Sequence, residues 1–207
     1  KPLRELCGPD TPFHIVAVKR GEDTVIPGGN DSLELGDIAY FMTLRKHVQH
    51  ILQITGKGDY GEVRHMMIMG GGLTTYHVIQ DKPDSVSVKV IEQSEERCRQ
   101  FADMLDDPDV SIIQGDGRDT GMLAEEGLRD MQAFAALTPY TETNILACLA
   151  AKRMGVRKTI AMVENMDYVS LAEKLDIGTI INKKTIAASH IYQMMLDTDV
   201  ANVKCLT

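Results

Sequence analysis

The sequence predicts an α/β chain: a doubly wound parallel sheet preceded by a small α+β lobe. Three observations carry this. From Arg64 onward, short apolar runs alternate with segments of helical periodicity, the pattern of strands joined by crossover helices. One such run, residues 66–69, leads straight into Gly70-Gly71-Gly72 and then a helix start, and the next run ends in an acid, Glu92. Before Arg64 the pattern differs, with short apolar runs separated by polar turns, as in an antiparallel sheet.

Bulk properties bound the function. The chain has 207 residues, enough for one large or two small domains, with 43% hydrophobic residues and no Trp, an ordinary globular composition. A formal net charge of −8 disfavours nucleic acid, whose phosphates need clustered Lys and Arg, and also disfavours adsorption to anionic lipid. No apolar run approaches the ~20 residues that span a bilayer, so direct membrane insertion is not expected. Cys7, Cys98, Cys148 and Cys205 form no C-x-x-C pair, and the expected compartment is reducing and cytoplasmic. The first residue is Lys, and residues 201–207 look like the start of another element, so a piece of a longer protein is expected.

Taken in order, residues 13–18 read as a strand, 19–23 as a polar turn, 24–26 as a short return strand and 38–43 as a further strand. Residues 45–54 read as a helix with Val48, Ile51 and Leu52 on its apolar face. Residues 56–63 are the expected linker between a lobe over 1–55 and a domain over 64–200. In that domain strands are expected at 66–69, 86–91, 110–114, 132–137, 159–163 and 179–181. Helices are expected at 74–80, after Ser94, and at 120–126, 141–154, 167–175 and 185–196. Ser94 is a good N-cap with Glu95 and Glu96 in the first turn, and Cys98, Phe101, Ala102 and Leu105 are spaced to bury one face. Gly127 and Gly155 are placed to stop helices.

In such a sheet ligands bind outside the strand carboxyl ends, at the switch point. Gly70, Gly71, Gly72, Leu73 and Thr74 form the expected phosphate turn, because glycines let the backbone approach a pyrophosphate and the helix start offers free N–H groups. Glu92 is placed to bind ribose hydroxyls, Asp116 to accept from an adenine amino group, and Thr138 to touch the phosphate or second-ribose side. Each has a plainer alternative: a solvated acid, a turn-forming Asp, and a helix cap. Thr75 stands where G-x-G-x-x-G has its third glycine, and its hydroxyl or that of Thr74 is a candidate phosphate ligand. Arg118 reads as a surface residue with a phosphate contact as its alternative.

His47 and His50 are too few for a metal site, and the twelve methionines read as core or interface fillers. No nucleophile–base order stands out, so an enzyme is not expected. An oxidoreductase fragment would need a substrate domain with an acid–base residue, and residues before Arg64 are too few to supply one. A Rossmann-like assembly module that has lost its ligand is the other alternative.

Residues 68–72, 90–92 and 114–119, with 136–138 leading into 142–147, resemble the RCK (or KTN) domain family that regulates potassium transport. The resemblance continues through 161–165 and 174–177. Residues 1–44 resemble the small C-terminal lobe that follows such a domain, so the chain resembles the middle of a tandem pair: most of one C-lobe and the next nucleotide-binding domain. The resemblance implies a regulatory subunit of a Trk-type potassium uptake system with an NAD(H) or ATP/ADP pocket at Gly70–Thr74, Glu92, Asp116 and Thr138. It further implies homo-oligomers through domain pairing, a membrane potassium channel or transporter subunit as partner, and a cytoplasmic place beside the inner face of the membrane. Ile191, Met194 and Met195 are candidates for the pairing face. Met162 stands where many members of the family carry Arg.

Overall fold

The computed structural model describes residues 1–8, 10–21, 23–56 and 62–195. These fall into two compact units, residues 1–56 and residues 62–195. The break lies within the expected linker; residues 57–61, Cys205, and the element expected at 201–207 lie outside the described residues.

The first unit holds α1 (Leu3–Leu6), β1 (Phe13–Arg20), β2 (Asp23–Val25), β3 (Ile38–Thr43) and α2 (Val48–Ile54). Its sheet is antiparallel in the order β2-β1-β3, with a shift of register between Ile15 and Ala17. Polar clasps tie its loops. Arg20 donates two hydrogen bonds to the Asp37 carboxylate, at 2.9 and 2.7 Å, and one to the Ser32 carbonyl. Asp37 also accepts from the Glu34 N–H, closing the turn at Gly36. The helix expected at 45–54 begins as a 3-10 turn over Arg45–His47, and its expected apolar face is only partly covered: Ile51 and Leu52 are half-buried and Val48 is exposed.

The second unit is α/β throughout. It runs β4 (His65–Met69), α3 (Leu73–Gln80), β5 (Ser87–Glu92), α4 (Glu95–Asp103), β6 (Val110–Gln114), α5 (Thr120–Glu125), β7 (Ala133–Ala136), α6 (Thr141–Arg153), β8 (Lys158–Met162), α7 (Val169–Lys174), β9 (Thr179–Ile181) and α8 (Lys183–Met195). All six strands are parallel, in the order β6-β5-β4-β7-β8-β9. This is the Rossmann-like order, and its switch point lies between β4 and β7.

Period-2 alternation splits the core between the two sheet faces. Met67, Met69, Ile91, Phe134 and Ala136 pack on one side, and Ile68, Val88, Val90, Ala135 and Leu137 on the other. Both faces are covered, so the strands read as continuous apolar runs. Ala136 in β7 shares its sheet face with a small-residue stripe on α6 (Ala147, Cys148, Ala151), which lets that helix approach the sheet closely. The Cys148 thiol lies under this contact, donates to the Ile160 carbonyl, and is pushed up to about 12 by burial.

Helix ends follow local chemistry. Ser94 Oγ accepts from the Arg97 N–H and caps α4; Asp119 accepts from the N–H groups of Gly121 and Met122 and caps α5. The expected burial along α4 is corrected: Phe101 is buried, but Ala102 is exposed and Leu105 lies past the helix end at Asp103.

Candidate functional site

The carboxyl ends of β4, β5, β6 and β7 open on one cavity of about 630 Å³. Gly70, Gly71, Gly72, Glu92, Asp116 and Thr138 all line it.

The glycine turn is built for close approach. Gly70 has φ +107°, and a Cβ there would meet the backbone of Leu137 and Thr138 at 3.2 Å. At Gly72, the N-cap of α3, a Cβ would meet nothing within 4 Å. The turn therefore walls off the sheet at one end and leaves room at the helix start, where the first N–H groups have no acceptor within the helix. A phosphate fits that cradle.

Thr75 corrects one expectation. It is buried, and its hydroxyl donates to the Gly70 carbonyl, so it braces the turn from behind and is not a phosphate ligand. Leu73 and Thr74 do not line the cavity either. They open α3, and the Leu73 side chain points outward with 70% exposure.

Glu92 is buried, and both carboxylate oxygens accept backbone hydrogen bonds: Oε2 from the Gly71 N–H at 2.8 Å and Oε1 from the Ser94 N–H at 3.0 Å. The acid thus ties the glycine turn to the β5–α4 turn. Each oxygen keeps a further lone pair for a hydroxyl donor. Asp116 is gripped by Arg118, which donates to it from its backbone N–H and its guanidinium at 2.7–3.1 Å. The hydrogen bonds from Arg118 hold the Asp116 carboxyl below the usual carboxylate range. Gly117 is needed beside it, because a Cβ there would sit 2.3 Å from Met69 Sδ.

Thr138 lines the cavity, but its hydroxyl is engaged in the turn ahead of α6, whose N-cap is Tyr140. That hydroxyl donates to Asn144 Oδ1 at 2.6 Å and accepts from the Tyr140 N–H at 3.2 Å. Asn144, fully buried, completes the knot by donating to the carbonyls of Thr138 (2.7 Å) and Met162 (2.8 Å). It fastens the ends of β7 and β8 together. Met162 is buried and contributes no side chain to the cavity.

Sequence reasoning missed Ser94, Arg97, Tyr140 and Thr143, which also line the cavity, and Arg118 lines it as well. Arg97 had a signal, since it lies in the first turn of the helix that follows the strand-end acid. Asn144 lies within the stretch that carries the family resemblance, but nothing in the sequence spacing gave it a role at the strand ends. Formal charge around the cavity balances, with Glu92 and Asp116 against Arg97 and Arg118. His47 and His50 lie in the first unit, where the His50 ring packs near Phe13 at 6.4 Å. Among the described residues no group of three or more His, Cys, Asp or Glu is placed to hold a metal ion.

Known proteins resemble this chain in sequence and fold. The family model of the TrkA-N domain matches residues 66–183. The Trk system potassium uptake protein TrkA of Azorhizobium caulinodans is 31% identical over 93% of this chain, which covers 42% of that relative. The protein of the same name from Halomonas elongata is 27% identical over 96% of the chain, covering 43% of that relative. The chain thus spans about two fifths of the length of these curated relatives. Among solved structures, the GsuK RCK domain superposes with a TM-score of 0.57 at 15% identity, over 96% of this chain and 41% of that one. GsuK structures described as bound to NAD and to ADP give 0.53 and 0.52. Among the described residues no helix is long and apolar enough to cross a membrane. With a family model covering more than half of its residues, the chain belongs to the TrkA-N domain family.

Proposed function

We propose that this chain is a nucleotide-sensing regulatory part of a Trk-type potassium uptake system. On this reading residues 62–195 bind NAD(H) or ATP/ADP, and residues 1–56 are a partial RCK C-terminal lobe. The observation that carries it is the convergence of Gly70–Gly72, Glu92, Asp116 and Thr138 on one cavity at the switch point. The start of α3 would hold phosphate, Glu92 a ribose, and Asp116 with Arg118 the base end. The TrkA relatives and the nucleotides named for GsuK support the same reading.

Regulation requires that the nucleotide bind two arrangements of the assembly with different affinity. Exposed Ile191, Met194 and Met195 on α8 suit pairing with a second copy. The partner of that assembly would be the membrane potassium channel or transporter subunit, at the cytoplasmic face. Calorimetry with NAD+, NADH, ADP and ATP tests the site: binding of at least one is expected, and binding of none overturns it. A second reading, an assembly module without a ligand, draws on the internal hydrogen bonds that already occupy Glu92, Asp116 and Thr138. The same titration separates the two.

A further inference from the structure

Asp116 stands between two glycines, Gly115 and Gly117, just past the end of β6. Neither glycine has a positive φ, so backbone conformation does not call for it. Space does. A Cβ at Gly115 would come within 2.6 Å of Met122 Cε, and one at Gly117 would overlap Sδ and Cγ of Met69. Two methionine side chains thus lie where the loop's own side chains would be.

The two methionines come from different elements. Met122 is half-buried on α5. Met69 is the last residue of β4, immediately before the glycine turn, and it is only 3% exposed yet lines the cavity. In the sheet β5 lies between β4 and β6, with Met69 beside Ile91 and Glu92 beside Gln114. The Met69 side chain therefore passes the end of a whole strand to meet Gly117, which suits a long, unbranched thioether. One side chain joins the strand that carries the phosphate turn to the loop that carries Asp116.

We propose that Met69 is a positioning residue. Through Gly117 it sets where the Asp116 carboxylate stands relative to the glycine turn, and so the preference for a base that bears an amino group. This inference rests on the nucleotide reading above. A ligand anchored at the phosphate turn reaches Asp116 only if the two are correctly spaced, and a shift of about 1 Å takes a hydrogen bond out of range. The pair of Asp116 with Arg118 is largely exposed, so an arriving amino group replaces one of its bonds at little cost.

Replacing the base amino group by an oxo group isolates Asp116. The test titrates the protein with NAD+ and nicotinamide hypoxanthine dinucleotide, and with ADP and IDP. The adenine member of a pair is expected to bind at least about tenfold more tightly. Gly117→Ala pushes against Met69 and should cut that ratio to about threefold or less. In Gly117→Ala/Met69→Ala the new methyl takes space that the thioether leaves, and the ratio should return to within about twofold of its starting value. Met69→Leu keeps the apolar volume but branches beside Gly117, and should cut the ratio without unfolding the protein. A contact with a merely structural role would weaken both members of a pair together and leave the ratio unchanged. A ratio near one in the unaltered protein, a ratio unmoved in both Gly117→Ala and Met69→Leu, or no recovery in a folded double variant overturns the inference while leaving the nucleotide site standing. Binding of none of the four ligands overturns the site itself, and the inference with it.

Discussion

The two units of this chain are held in different ways. Residues 62–195 bury apolar side chains on both faces of a parallel sheet, down to fully enclosed Met67, Ile68, Phe134 and Leu123. Among the described residues of 1–56 the buried apolar side chains are Leu3, Phe13, Ala17 and Val18, while Ile26, Leu35, Met42 and Leu44 stand in solvent. The first unit is organised by loop clasps around Arg20 and Asp37, the second by packing. A site that must hold several strand ends in register belongs on the second.

The comparison can be broken at several points. Phe134→Ala should cost about 3–5 kcal/mol in urea denaturation, because it empties a site enclosed by both the sheet and α6. A cost below about 1 kcal/mol would mean that packing does not dominate there. Asn144→Ala should cost about 2–3 kcal/mol by leaving buried carbonyls at β7 and β8 without donors, and should weaken nucleotide binding at least as much as stability.

The polar clasp predicts a pH response in the first unit. The Arg20 guanidinium and the Glu34 N–H hold the Asp37 carboxyl at about 2, below its ordinary 3.8. A depressed carboxyl stabilises the fold above its unfolded value and loses that contribution as pH falls from about 4 toward 2. Hydrogen exchange of the β1–β3 amides should accelerate in that window, beyond the ordinary pH dependence of exchange, and Asp37→Asn should remove the excess. The smallest effect belongs to Val48→Ala on α2, which should change stability by no more than about 0.5 kcal/mol. A larger loss would show that this helix face is covered after all.

How much of this was legible depended on which physical signal was needed. Continuous apolar runs located the strands of the parallel sheet: β6 and β9 fall on the expected residues, and the others differ by one or two at their ends. The central strands are buried on both faces and read as short apolar runs, and the turn residues flanking each run separate them from helix. Spacing also brought six of the expected site residues to one cavity. Spacing says nothing, however, about which way a side chain turns once its element is built. Thr75 turns back to a carbonyl, Leu73 turns to solvent, and Asn144 reaches across two strands. On α2 helical periodicity located the helix but not a covered face, since an apolar stripe becomes a core only when something packs on it.

The bond from Thr75 to the Gly70 carbonyl has a kinetic consequence. The glycine turn is held by a side chain of the protein itself, so this turn is already shaped before a ligand arrives. Little conformational entropy is lost on binding, and association at this end should approach the rate of diffusional encounter. Differences in affinity between ligands would then appear as differences in residence time. On the proposed nucleotide reading, such a site would follow a changing ligand concentration with a lag set by release.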